Sequence, residues 1–465
     1  MNMINVRRLT VMTFLGAGML SGISAQVSPL QVDTLKETKI PDQWDLQSCI
    51  DYAKEQNITI RKNRITAAST QIDVKTAKAA MFPSLSFSTS QQVVNRPYQE
   101  TSSRVSGSEI ISSNSKTSYN GNYGLNASWT LYNGNKRLKT IQQEKLNNQM
   151  AELDVATSEN NIQESIAQVY IQILYAAESV KVNESTLQVS IAQRDRGQEL
   201  LNAGSIAKSD LAQLEAQVST DRYQLVTAQA TLEDYKLQLK QLLELDGENE
   251  MNIYLPALSD ENVLAPLPTK RDVYISALSL RPEIEASKLN VEASELGINI
   301  AKSSYFPTIS LSAGIGTNHT SGSDFTFGEQ VKNGWNNSIG LSVSVPIFNN
   351  RQTKSAVQKA KLQYETSMLS LLDEQKALYK TIESLWLDAN SAQQRYAAAN
   401  EKLKSTQISY ELISEQFNLG MKNTVELLTE KNNLLQAQQE QLQAKYMAIL
   451  NTQLLKFYQG DQLAI

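Results

Sequence analysis

The sequence predicts an α+β membrane protein made of two tandem repeats, each with long coiled-coil-like helices and one transmembrane β-hairpin. Three observations predict it: the chain is written twice, long stretches lack glycine and proline, and short stretches alternate apolar with small polar residues.

The duplication is read first, because it fixes the boundaries. Residues 79–87, AAMFPSLSF, return as SSYFPTISL at 303–311, which lays Phe82 and Pro83 over Phe306 and Pro307. LYNGN at 131–135 returns as IFNNR at 347–351, and ELLNAGSIAKSDL at 199–211 as EQFNLGMKNTVEL at 415–427. The offset falls from 224 to 216 between these blocks, so the first repeat carries extra residues between its proline and its YN turn. Surface loops absorb such insertions and packed elements do not. The predicted organisation is a leader at 1–25, an extension at 26–43, a first repeat at 44–246, a linker at 247–269, a second repeat at 270–459 and a tail at 460–465.

The helices follow from composition and period. Residues 136–196 and 351–419 contain neither Gly nor Pro. In the second, Met368, Leu371, Leu378, Ile382, Leu385, Ala389, Ala392, Tyr396, Ala399 and Leu403 recur at alternating spacings of three and four, with Gln375 as the one polar member. Val155, Ile162, Ile166, Val169, Ile173, Ala176, Val180 and Leu187 repeat the pattern in the first. About 65 helical residues make a rod on the order of 100 Å long. By themselves such helices fit a generic coiled coil equally well.

The strands separate these readings. Leu85, Phe87 and Thr89 alternate with serines, and Tyr123, Leu125, Ala127, Trp129 and Leu131 with Gly, Asn, Ser and Thr. Ile309, Leu311, Ala313 and Ile315, and then Ile339, Leu341, Val343 and Val345, do the same in the second repeat. Period-two runs with one apolar and one small polar face fit strands between lipid and water. The segments 93–117 and 318–334, rich in Ser, Gly and Asn, read as outer loops. Four strands cannot close a barrel, and open edges are not tolerated in lipid, so the chain must oligomerise. Two copies give a filled eight-stranded barrel, whereas three give twelve strands and a lumen.

Composition excludes other classes. Net charge is -5 with 43 basic and 48 acidic residues well mixed, which leaves no basic face for nucleic acid. Arg7 and Arg8, the apolar run 9–20 and the small residues ending at Ala25 read as a secretory leader. No later window reaches the roughly 18 apolar residues of a transmembrane helix. Cys49 stands alone and reads as a buried apolar residue. His319 is the only histidine and falls in a predicted outer loop, so no metal cluster, catalytic base or cofactor site is expected, and no enzymatic activity.

With these duplicated junctions, hairpins and NAGSIAKSDL and NLGMKNTVEL segments, the chain resembles the TolC family of outer-membrane efflux proteins, from Trp44 to about Tyr458. The resemblance implies a homotrimer in outer-membrane lipid, with a 12-strand β-barrel and a 12-helix periplasmic α-barrel. It also implies docking to a periplasmic adaptor and to an inner-membrane pump of RND or ABC type. On that likeness Pro83 and Pro307 mark helix-to-strand junctions, Gly204 and Gly420 the tip turns offered to the adaptor, and Asp210 and Glu426 a periplasmic gate. Some members carry a further acid where this chain has Thr429, followed by Glu430, so a differently placed acidic constriction is expected. The alternative for Asp210 and Glu426 is a charge that favours its own helix N-terminus. Residues 247–269 would cross the helices as a belt, reduced by the short C-terminus. The alternative function is a structural coiled-coil envelope protein without channel activity, which has no need of two membrane-length hairpins.

Overall fold

The computed structural model describes residues 41–98, 102–106, 109–113, 116–246, 251–256, 263–321 and 325–463. The leader and all but the last three residues of the extension lie outside them, as do residues 247–250 and 257–262 of the linker and 464–465 of the tail.

The first repeat opens with α1 (Leu46–Gln56) and α2 (Ile58–Ala79). Asn57 divides them, since its side-chain oxygen accepts from the amides of Thr59 and Ile60 and starts α2 as α1 ends. After Pro83 the chain runs out as β1 (Ser84–Asn95) and returns as β4 (Thr117–Asn133). Between them β2 (Ser102–Ser106) pairs with β3 (Glu109–Ser113), a small hairpin inside a segment predicted as loop. The long helix α3 (Lys136–Asn202) then descends, and α4 (Lys208–Leu242) folds back along it.

The second repeat runs the same course. It comprises α5 (Lys270–Leu280), α6 (Pro282–Ser303), β5 (Thr308–Thr320), α7 (Phe327–Asn333), β6 (Asn336–Ser344), α8 (Gln352–Asn418) and α9 (Thr424–Gln459). Here Pro282 at the first helical position starts α6 directly after α5. The short α7 occupies the second predicted loop, held by a capping box in which Thr326 and Glu329 bond each other's amides.

Helices α3 and α8 are 67 residues each, so each is roughly 100 Å long. Their predicted heptads are buried in the middle, at Ile166, Ile173, Ala176 and Leu187 in α3 and at Leu378, Ile382, Ala389, Ala392, Tyr396 and Ala399 in α8. Nearer the strands the seam departs from the prediction: Met368 is exposed and Ser367 is buried. The hydroxyl of Ser367 meets that of Ser294 on α6 at 2.8 Å, so two small residues make this crossing in place of a methionine.

The elements lie in three rows. The sheet order is β1-β4-β5-β6, all antiparallel. The helices next to it pack in the matching order α2-α3-α6-α8, and towards the tips the order is α4-α3-α9-α8. Each row therefore ends in a first-repeat element on one side, β1, α2 or α4, and in β6 or α8 on the other.

The linker crosses this array in its middle. Trp44 bridges Ile253 in parallel, with Trp44 N donating to Asn252 O and Tyr254 N to Trp44 O, both at 2.8 Å. Tyr170 on α3 donates to Tyr254 O at 2.6 Å, and Gln393 and Trp386 on α8 donate to the carbonyls of Val263, Ala265 and Pro268. Cys49 is fully buried in the core beneath, and that burial pushes its thiol up to about 12.

Candidate functional site

The sheet has two chemically different faces. Register places Leu85, Phe87, Leu125, Ala127, Trp129, Leu311, Ala313, Ile315, Ile339, Leu341 and Val343 on one of them. Most are exposed, Ile339 at 84% and Leu85 at 70%, with no layer of the described residues over them. An uncovered apolar sheet face of this size calls for lipid. The opposite face carries Ser84, Ser86, Ser88, Asn122, Gly124, Asn126, Ser312, Gly314, Asn318, Ser338, Gly340 and Ser342. No charged residue stands on this face of the described strands. It is a lining of hydroxyls, amides and bare backbone.

Pro83 and Pro307 each stand one residue before a strand, where helices α2 and α6 have ended. Lacking an amide donor, proline suits the first step into an extended strand and disfavours helix in the residue before it. On the return, the YNGN and FNNR turns both carry paired left-handed residues, Gly134 and Asn135 in one and Asn350 and Arg351 in the other.

His319 departs from expectation. It lies within β5 and not in a loop, and only 8% of it is exposed. Its ring packs among Tyr119, Tyr123 and Phe327 and lies across Gly121, its partner on β4. A side chain at Gly121 would collide with that ring and force it to shift. Helix α7 folds back over this end of the sheet and brings Phe327, which the loop-like composition of 318–334 did not reveal.

At the far end of the helices the two tips are alike in backbone. Gly204 has φ +73° and Gly420 φ +74°. Ser205 N donates to Leu200 O and Gly204 N to Leu201 O, while Met421 N and Gly420 N do the same to Gln416 and Phe417. Both are Schellman endings, which need the left-handed conformation that glycine adopts without penalty. The surfaces differ, however. Leu419, Met421 and Val425 are exposed around the second turn, where the first has the smaller Ala203, Ser205 and Ser209.

Asp210 and Glu426 are the third helical residues of α4 and α9. The Asp210 carboxylate accepts from Ala207 N at 3.0 Å, and Ala207 has no side-chain acceptor with which to reciprocate. Glu426 belongs to a complete capping box: it accepts from Asn423 N at 3.3 Å, and Asn423 accepts from Glu426 N at 2.9 Å. Lys422 also meets Glu426 at 2.6 Å. That lysine first, and the Asn423 amide second, hold the Glu426 carboxyl below the usual range. Glu430, next to Thr429, accepts from Ser409 on α8 at 3.1 Å. Beneath the tips Leu200, Leu214, Phe417 and Leu427 form a small core joining the two helical hairpins.

A two-faced sheet continued by paired helices of such length defines a fold of the outer-membrane type. The chain belongs to the outer membrane efflux protein family, whose model matches residues 49–244 and 273–460. It is 24% identical over 294 residues to the outer membrane efflux protein BepC of Brucella suis, covering 63% of this chain and 61% of that protein. It is also 24% identical over 294 residues to the outer membrane protein TolC of Escherichia coli, covering 61% of this chain and 58% of TolC. The aligned region thus spans about three fifths of these relatives' own length. A crystal structure of CusC shares the fold with a TM-score of 0.75 at 19% identity, over 90% of this chain and 92% of that one. The family places the protein in the outer membrane.

Proposed function

We propose that the protein is the exit duct of a tripartite efflux or type I secretion system, a homotrimer that conducts solutes passively under the drive of an inner-membrane pump. The observation that carries this reading is the agreement of free edges in all three rows. Strands β1 and β6 end the sheet, and the helix rows end in α2 or α4 on one side and α8 on the other. One continuous margin of the protomer therefore complements the other, as a head-to-tail ring requires. Exposed apolar residues stand on both margins, with Tyr223, Val226 and Leu237 on α4 and Leu387, Ile408 and Leu412 on α8.

Three copies give twelve strands and a water-filled lumen lined by Ser, Asn and Gly, too neutral to sort ions by charge. The two repeats, 44–246 and 270–459, each supply a strand hairpin and a helical hairpin to it, with 247–269 as the belt between them. Pro83 and Pro307 mark the passage from helical tunnel to barrel. The turns at Gly204 and Gly420 face a periplasmic adaptor, and the exposed Leu419 and Met421 give that contact an apolar component. Asp210 and Glu426 gather six carboxylates at the narrow end, where they cap their helices and contribute negative potential together. The pump, of RND or ABC type, sets the cargo. The protein itself performs no chemistry.

The test is the oligomeric state in detergent extracts of outer membranes. Chemical cross-linking and native mass measurement are expected to give trimers. Monomers and dimers alone would end the reading.

A further inference from the structure

The most deeply buried charges in the described residues lie neither in the sheet nor at the gate candidates. Lys431 on α9 forms an ion pair with Asp221 on α4, and Ser190 on α3 bonds both. Their exposures are 3%, 1% and 2%. Gln217 donates to the other oxygen of Asp221 at 2.8 Å, so the carboxylate is bonded on both sides.

All three residues occupy seam positions of their helices. Leu214, Val218 and Asp221 follow at spacings of four and three on α4, Leu427, Lys431 and Leu434 on α9, and Asn183, Leu187 and Ser190 on α3, all of them buried. Heptad seams of apolar residues are nearly self-similar under a shift of seven residues, so packing alone discriminates registers weakly. A polar residue in the seam is satisfied in one register only. Side-chain interlock is also loose here, because a crevice of about 240 Å³ lined by Val182, Thr186, Tyr410, Lys431 and Leu434 opens beside the pair.

The duplication shows that the arrangement is not a general need of the fold. At the offset of 216, Asp221 corresponds to Ala437, Lys431 to Glu215 and Ser190 to Thr406. Ala437 is fully buried, so the second repeat's own hairpin fills the position equivalent to Asp221 without a carboxylate, while Glu215 stands on α4, an outer margin of the protomer.

We propose that Asp221, Lys431 and Ser190 form a buried pin that fixes the axial register of the second repeat's helical hairpin against the first's and so sets how the two tips are aligned. A slip of one heptad would displace one tip by about 10 Å and strand both charges in an apolar seam.

The experiment uses the full chain with spin labels at the exposed Gln188 on α3 and Asn433 on α9, doubly labelled subunits being diluted with unlabelled ones. Cys49 is buried and stays unlabelled. The parent protein is expected to give one intra-subunit distance. D221L/K431M, which removes both charges and keeps the seam filled, is expected to add a second population displaced by about a heptad. The charge-swapped D221K/K431D is expected to return to one. If D221L/K431M does not fold, the milder D221N is read in its place, with a smaller second population. D221L alone leaves Lys431 unpaired and is expected to speed amide exchange at 424–434 about a hundredfold. A single parental distance in D221N and in whichever apolar variant folds would show that packing sets the register and overturn the proposal. The readout needs no conduction, so it fails or succeeds independently of the channel reading.

Discussion

Gly204 and Gly420 have open space where a Cβ would stand, so any harm from a side chain there comes from backbone conformation alone. Valine resists positive φ at a cost of about 1–2 kcal/mol per site. G204V/G420V is therefore expected to abolish export while the trimer and barrel persist, read as substrate accumulation in cells beside an intact cross-linked trimer. Normal export would show that these turns are not the docking surface. For the carboxylates, D210N/E426Q keeps shape and removes six charges per trimer, so cation preference should fall, most of all at low salt where screening is weak. Reversal potentials under a salt gradient measure it. Glu426 also carries a pH signature. Its folded pKa is depressed, so the stability it contributes is present above its unfolded pKa and is lost as pH falls through the folded value. The first turn of α9 should loosen as pH falls below the ordinary glutamate value of about 4.3, read by amide exchange corrected for intrinsic rate. Gly204 and Gly420 were legible as turns because the duplication aligns them, and Asp210 and Glu426 as first-turn charges of their helices. The caps were legible only in part: Asn423 with Glu426 is a sequence-visible capping box, but Ala207 gives no sign that Asp210 bonds its amide.

At the scale of elements, the packing of α5 and α6 against α3 and α9 runs through Arg281, which sits at the break between α5 and α6. It is 5% exposed, pairs with Glu164 on α3 at 2.6 Å and lies over the Tyr458 ring at 3.6 Å. One guanidinium thus joins the first repeat, the second and the last helix. R281A removes the partner of a mostly buried carboxylate and is expected to cost about 2–3 kcal/mol. R281K keeps the charge without the planar fork and should recover only part of that, both read as the temperature at which the trimer dissociates. No sequence signal marked Arg281, because Glu164 and Tyr458, which it joins, lie more than 100 positions away along the chain. Long helices and strands were legible from period and from missing Gly and Pro. The hairpin β2–β3, helix α7 and the position of His319 were not, since Ser, Gly and Asn describe both loops and the short elements folded within them. The seam shift from Met368 to Ser367 was hidden for a related reason: hydropathy prefers methionine, and the crossing with Ser294 needs a small residue.

At the scale of the molecule, sheet and helices share one order because each strand of the four-stranded sheet adjoins a helix: α2 leads into β1, β4 into α3, α6 into β5 and β6 into α8. A subunit whose rows end on the same two sides cannot satisfy its edges alone. In the proposed trimer, closing them would make the barrel and the helical tunnel together, and the duplication would let three chains present six similar hairpins around one axis. The duct would then be neutral in the membrane and acidic at its periplasmic end. Single-channel recording from the purified trimer in planar bilayers tests this most directly. Discrete conductance steps are expected, with a cation preference that falls in D210N/E426Q. A trimer that inserts into the bilayer and never raises its conductance above the bare membrane would contradict the account.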